Sequence, residues 1–248
     1  MVNVQGKWAL ITGASRGIGY LSAIFMAKQG CNLILHSRSL SHCEKVAAQA
    51  KALGVQVRCV EAELSDLAQV EQMLKTIDAM ELDVDIVLNN AGVQIAYRNE
   101  YLLTPVSDYE ISFRINTIAP MMICYHFLPK MASRGFGRIL NTTSGITLDP
   151  YQAGYSASKA ALDKVTIDLG SKYQGTNVLI NLTDPGWCRT DLGGPHAPNA
   201  PESAIPGIVV GAFVDDGKSG RNLGAQYFTG LTLEEAVAKA EAEFHSPY

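Results

Sequence analysis

The chain contains no apolar run approaching the ~20 residues that a helix needs to span a bilayer, so no membrane partner is expected. Charge of either sign is also scarce: charged side chains make up 18% of 248 residues and the net charge is −4. A basic footprint for nucleic acid is thereby excluded. Cysteine is sparse and unpatterned. Cys31, Cys43, Cys59, Cys124 and Cys188 are odd in number and form no CxxC, which predicts reduced thiols rather than a disulfide framework or a zinc site. The five histidines fall into no HExxH or similar spacing, and no metal is expected. The N-terminal "MVNVQGKWALITG" lacks the basic start, long apolar core and small-residue cleavage site of a secretory signal, so the cytoplasm is the expected compartment. Repeats, linkers and low-complexity tracts are missing too, and one domain over 1–248 follows.

What is present is a regular alternation. Residues 7–12, 31–36, 55–60, 84–89, 137–142 and 177–182 are short apolar runs rich in Val, Ile and Leu, and they read as strands. Their continuous apolarity suits a parallel sheet covered on both faces. Amphipathic helical stretches lie near 17–29, 41–53, 66–79, 108–132 and 152–173. The βαβα order predicts an α/β, doubly wound parallel sheet with right-handed crossovers. "AQYFT" (225–229) is expected as one last strand, and Thr232 with Glu235 as the capping box of a terminal helix through about 244. The Pro-, Gly- and Ala-rich stretch 193–207 reads as a mobile loop without a core element.

The first strand runs into "TGASRGIG", Thr12 to Gly19, and then into a helix. Glycines at such a turn let backbone approach a ligand, and the helix N-terminus offers free N–H groups to an anion. A nucleotide pyrophosphate site is predicted there, formed by Gly13, Ser15, Arg16, Gly17, Ile18 and Gly19. The second strand ends "LHSRS". Ser37 stands where an acid would accept from the ribose 2′-hydroxyl of NAD, Arg38 follows, and Arg16 adds a second charge for a 2′-phosphate. NADP(H) is therefore expected in preference to NAD(H). In "YSASK" (155–159) a helix places Tyr155 and Lys159 on one face, where both can address a bound cofactor. An ammonium nearby favours phenolate and is expected to pull the phenol's pKa down.

With the glycine loop, "NNAG" (89–92), "YSASK" and "DPGWCRTD" (184–191) in this order, the chain closely resembles the short-chain dehydrogenase/reductase family in its compact single-domain branch. The motifs run from Thr12 to about Asp191. The resemblance implies a Rossmann-type sheet of about seven strands with helices on both faces. It implies Tyr155 as the proton donor or acceptor, Lys159 at the nicotinamide ribose, Ser144 polarising the carbonyl with Thr143 as the neighbouring register, and Asn116 on a water-linked proton path. Glu63, where the family usually has Asp, and the backbone of Leu64 fall at the adenine. Asn90, Ala91 and Gly92 fall beside the ribose. Pro185 and Gly186 turn the chain over the nicotinamide, with Thr190 and the Cys188 backbone at the carboxamide. The tail lacks the Asp-Gly-Gly segment of many tetrameric members, so a homodimer or homotetramer is expected with the count open.

The family's substrate loops correspond to Gln94, Tyr97, Arg98 and Tyr101, to Tyr151, and to Trp187 and His196 on a lid at about 186–212. Aromatics with few polar groups suit a medium-sized ketone, and Arg98 suits a carboxylate. "PGWCRTDLGGP" is similar to carbonyl-reductase-like members. An NADP(H)-dependent carbonyl reductase acting on a small-molecule carbonyl or alcohol substrate is expected. A 3-oxoacyl thioester reductase, a sugar or polyol dehydrogenase and a non-catalytic NADP-binding redox sensor are the alternatives.

Overall fold

Strands form where the branched apolar residues are densest. A computed structural model describes residues 1–247. β1 (Trp8–Ile11), β2 (Asn32–Ser37), β3 (Val57–Glu61), β4 (Val84–Asn89), β5 (Gly137–Thr142), β6 (Val178–Asp184) and β7 (Asn222–Gly224) make one sheet in the order β3-β2-β1-β4-β5-β6-β7, every neighbour parallel. The first six lie on the expected runs to within a few residues. Both faces are covered, as continuous apolar strands require. On one face α1 (Gly17–Lys28), α2 (Glu44–Ala52) and α7 (Leu233–Glu243) bury residues such as Met26, Val46 and Val237 against Leu33 and Leu35. On the other, α3 (Leu67–Asp78), α5 (Ala119–Arg134) and α6 (Ala153–Tyr173) bury Met73, Phe127 and Leu162 against Leu10 and Ile139. Strand order reverses between β1 and β4, which opens a crevice at the carboxyl ends of these strands.

Three expectations are corrected. "AQYFT" is not a strand: β7 ends at Gly224, and Ala225–Phe228 is a 3₁₀ turn. Side chains three apart share one side of such a turn, so Ala225 and Phe228 are both buried while Tyr227 faces water. The 193–207 stretch is not wholly a loop over the surface. From Ala204 the chain enters the core, and the 3₁₀ segment Gly207–Ala212 is buried throughout. Its glycines permit this, since a Cβ on Gly211 would stand 2.4 Å from Leu140. Finally, the helix expected over 108–132 is α4 (Val106–Phe113), a wider π turn (Arg114–Ile118), and α5. Pro120 has no N–H to bond the Asn116 carbonyl four residues back, and the ladder widens there. The capping box of α7 forms as expected, with Thr232 and Glu235 bonding each other's backbone N–H.

Candidate functional site

The helix α6 buries Tyr155, Ser158, Lys159, Leu162 and Thr166, positions three and four apart on one face. Tyr155 and Lys159 thus leave solvent together, with 7% and 4% exposure. Lys159 Nζ donates to Thr142 O at 2.7 Å and stands 6.0 Å from the Tyr155 ring centre. Burial lowers the ammonium from 10.5 to about 8, opposed by the charges of Asp163 and Asp184. The phenol departs from expectation: burial raises its pKa, the Ser144 hydroxyl bonded to it opposes the rise, and Asp184 adds to it. Removal from water is the largest of these effects.

Ser144 and Thr143 diverge. The Thr143 hydroxyl bonds the Asp163 carboxylate, one turn beyond Lys159, and Ser144 is left as the hydroxyl that meets Tyr155. The π turn brings Asn116 into the same cluster. Asn116 Oδ1 accepts from Val93 N and its Nδ2 donates to Val93 O, both at 2.9 Å, and also to Ser158 Oγ at 3.0 Å. Ser158 Oγ in turn donates to Tyr155 O at 2.7 Å. The loop after β4 is therefore fastened to α6. Gly92 lies over this junction, where a Cβ would stand 3.3 Å from Asn116 Oδ1 and 3.5 Å from Lys159 Nζ.

The glycine loop is built to admit an anion. Gly13 and Gly17 have φ of +65° and +56°, and a Cβ on Gly19 would sit 2.2 Å from Gly13 O. No side chain caps α1 at Arg16, in contrast to Asp66 on α3 and Thr232 on α7, so its first-turn N–H groups remain available to a phosphate. Asn90 Nδ2 donates to Thr12 O at 3.1 Å, and Ala91 N to Thr12 Oγ1 at 3.0 Å, holding the "NNAG" segment against the loop. This cradle of close-packed glycines around an uncapped helix end fits a dinucleotide pyrophosphate, with Ser15 and Ile18 on its half-buried wall.

Other expected residues are engaged differently. Arg16 pairs with Asp191 at 2.9 Å, while Arg38 is exposed beside Ser37 without a hydrogen bond or ion pair among the described residues. Glu63 spends Oε1 on Ser65, accepting from its N at 3.1 Å and its Oγ at 3.0 Å, and Leu64 is buried. Pro185 O accepts from Gln226 Nε2 at 2.7 Å, and Gly186 turns with φ +72°. Cys188 is buried, and Thr190 N donates to its carbonyl at 2.9 Å while the Thr190 methyl approaches Gly17. The chain after Gly186 thereby crosses the glycine loop. Arg98 is paired within the protein: its Nε and Nη2 donate to Asp108 at 2.7 and 2.8 Å, which commits one fork of the guanidinium. Tyr97 donates to Asp149 at 3.1 Å, and Tyr101 packs edge-on against Tyr151 with ring centres 5.6 Å apart. Gln94 is half-buried, and Trp187 and His196 face solvent.

Two residues given no role from sequence enter the site. Asp184 ends β6 half-buried, accepts from Gly186 N at 2.8 Å, and its Oδ2 would meet a Cβ on Gly145 at 3.1 Å. It lies inside "DPGWCRTD", and only the pairing of β5 with β6, whose last pair is Thr142 with Thr183, brings it near Tyr155. His36 is buried under the glycine loop, where Nδ1 accepts from Gly13 N at 3.3 Å and Nε2 faces Ala62 O at 3.1 Å. Burial lowers its pKa, and these two bonds suit the neutral ring with its proton on Nε2.

Comparison with known proteins agrees with this geometry. The family model for short chain dehydrogenase matches residues 7–200. Oxidoreductase UcpA of Salmonella typhimurium is 33% identical over 83% of this chain and 80% of its own. The 3-oxoacyl-[acyl-carrier-protein] reductase FabG of Aquifex aeolicus is 31% identical over 77% of each. A 3-oxoacyl (acyl-carrier-protein) reductase from Agrobacterium tumefaciens, solved with NADP bound, superposes with a TM-score of 0.73 at 27% identity over 96% of this chain and 90% of that one. The protein belongs to the short-chain dehydrogenase/reductase family and is an NAD(P)-dependent oxidoreductase acting on CH–OH or C=O groups.

Proposed function

We propose that the protein is an NADP(H)-dependent carbonyl reductase, with Tyr155 as its acid and base. The observation that carries this is the Tyr155 phenol, buried on the α6 face it shares with Lys159 and bonded to Ser144 at the end of β5. The nicotinamide, when bound, supplies the hydride for reduction and accepts it in oxidation. Tyr155 gives its phenolic proton to the carbonyl oxygen, and the Ser144 hydroxyl donates a hydrogen bond to the charge developing there. The phenol, raised by burial, stays protonated at neutral pH, which suits the reducing direction. Lys159 holds the nicotinamide ribose and adds positive charge beneath the phenol. Asn116, locked to Val93 and Ser158, fixes the loop after β4 and belongs to the proton path to Lys159.

Gly13, Ser15, Gly17, Ile18 and Gly19 hold the pyrophosphate, Arg38 and Arg16 the 2′-phosphate, and Glu63 and Leu64 the adenine. Arg16 does so by exchanging its exposed partner Asp191 for the phosphate. Asn90, Ala91 and Gly92 line the ribose, and Pro185, Gly186, Cys188 and Thr190 the nicotinamide. NADP rather than NAD is supported by Ser37 and Arg38 at the end of β2 and by the NADP-bound relative of known structure. The chain acts as one cytoplasmic domain and self-associates, and residues 186–203 form its lid, since 204–212 are core. A medium-sized apolar ketone fits the tyrosines and Trp187 at the mouth. The likeness to an acyl-carrier-protein reductase makes 3-oxoacyl thioesters the second class to assay. The test is oxidation of NADPH and NADH by the purified protein against ketones, aldehydes, quinones and 3-oxoacyl thioesters, together with reduction of NADP and NAD against secondary alcohols. Turnover of ketones with NADPH is expected. Binding of NADPH without turnover of any carbonyl or alcohol would overturn the proposal in favour of a sensor.

A further inference from the structure

Away from Tyr155, two thiols meet beneath the far end of the cleft. Cys59 lies on β3, an edge strand, opposite Leu35 of β2. Cys43 closes the 3₁₀ turn Leu40–Cys43 that follows β2. Its Sγ lies 3.2 Å from Ser37 Oγ and 3.9 Å from the carbonyl oxygen of Leu35, the residue that Cys59 faces across the β2–β3 ladder. Both sulfurs pack into the same apolar cluster, Cys43 buried and Cys59 half-buried. Cys31, Cys124 and Cys188 bond instead to Lys7 O, Asn141 Oδ1 and Pro185 O. Ser37 and Arg38, which flank the proposed 2′-phosphate position, directly precede the turn that Cys43 ends.

We propose that Cys43 and Cys59 form a reversible dithiol–disulfide site, oxidised by a small hydroperoxide, whose closure weakens cofactor binding at the adenosine end. The second half rests on the cofactor site proposed above; the first does not. The neighbouring Cys59, helped by the Ser37 hydroxyl, holds the Cys43 thiol below its ordinary value against its burial, while the Cys59 thiol is pushed up. The thiol held low is the readier thiolate of the two, and the thiolate is the nucleophile. Cys43 attacks one peroxide oxygen, the O–O bond breaks, and the departing hydroxide takes a proton and leaves as water, giving Cys43 sulfenic acid. Cys59 then attacks that sulfur. The S–S bond forms as the S–O bond breaks, and the hydroxide leaves with the Cys59 proton as a second water. The two thiols lose two electrons and the peroxide gains them. A dithiol reductant reverses the bond by exchange. Closure takes Cys43 Sγ from Ser37 and ties the 40–43 turn to β3, displacing Ser37 and Arg38 from their reduced-state positions.

Full-length protein treated with hydrogen peroxide, then blocked with a thiol reagent, is digested without reductant and mapped by mass spectrometry. In parallel, NADPH and NADH are titrated by fluorescence before and after oxidation. A Cys43–Cys59 peptide pair lighter by two hydrogens is expected, with severalfold weaker NADPH binding that dithiothreitol restores. Cys59→Ser, and separately Cys43→Ser, should bind NADPH when reduced and lose both responses. Absence of the link in oxidised wild type, or Cys43 passing to sulfinic acid without it, overturns the site. A link that leaves NADPH affinity unchanged overturns the coupling. Reduced protein that forms the link on oxidation but binds neither nucleotide contradicts the cofactor proposal and leaves the dithiol supported.

Discussion

Lys159 and Arg16 both carry positive charge into one cleft, under opposite physical conditions. Lys159 is 4% exposed, bonded to Thr142 O and displaced to about 8 by loss of water. Arg16 is paired to Asp191 with both side chains about two-thirds or more in solvent. The ion pair at the rim is screened and exchangeable, whereas the buried cluster is held by bonds from three elements. Position on α6 decides the first, and the unpacked mouth of the glycine loop decides the second. An enzyme needs both: fixed groups where bonds change, and yielding ones where a large cofactor enters and leaves.

The contrast predicts an order of effects. Tyr155→Phe should cut turnover by at least about 10²-fold while NADPH still binds, as loss of a general acid does; near-normal kcat would break the comparison at its buried end. Arg38→Asp should shift the ratio of NADPH to NADH affinity roughly tenfold toward NADH by removing a charged donor. Titration of both cofactors checks this, and an unchanged ratio would place the 2′-phosphate elsewhere.

Asp184→Asn should move the rising limb of alcohol oxidation to lower pH. The Asp184 charge raises the Tyr155 pKa, so its removal eases formation of the phenolate that takes the hydroxyl proton; a limb that does not move would remove Asp184 from the site. Lys159 is tested through stability. Between about 8 and 10.5 the unfolded chain holds the lysine proton that the folded chain has lost. Stability from this group must therefore rise with pH through that window, the reverse of a lysine with a raised pKa. Lys159→Met should flatten that rise in urea unfolding. Smallest is Asp191→Asn, expected to change stability by less than ~1 kcal/mol, as an exposed pair does. A larger loss of stability in that variant would make the rim as rigid as the interior.

Six of seven strands and the chemical motifs could be read from the chain because each depends on neighbours in sequence. Val, Ile and Leu runs report burial on both sheet faces, and "YSASK" reports one helix face. The last strand could not be read this way. "AQYFT" looks like a strand, yet Ala225 and Phe228 reach the core from a 3₁₀ turn, which has its own period of three. Nothing near Arg98 in the chain announced that Asp108 of α4 would pair with it. Asp184 and His36 carried no local signal, since what they touch comes from other strands.

By itself the sequence determined the parallel sheet, the glycine turn before α1, the Tyr155–Lys159 face and the capping of α7, because hydrophobic period, glycine and cap chemistry act within a few residues. Tertiary structure alone decided that Thr143 turns to Asp163, that burial raises the Tyr155 pKa, and that Cys43 lies beside the strand that carries Cys59. Those outcomes depend on register between strands and on distance from water, and both arise only when segments far apart in the chain are packed together.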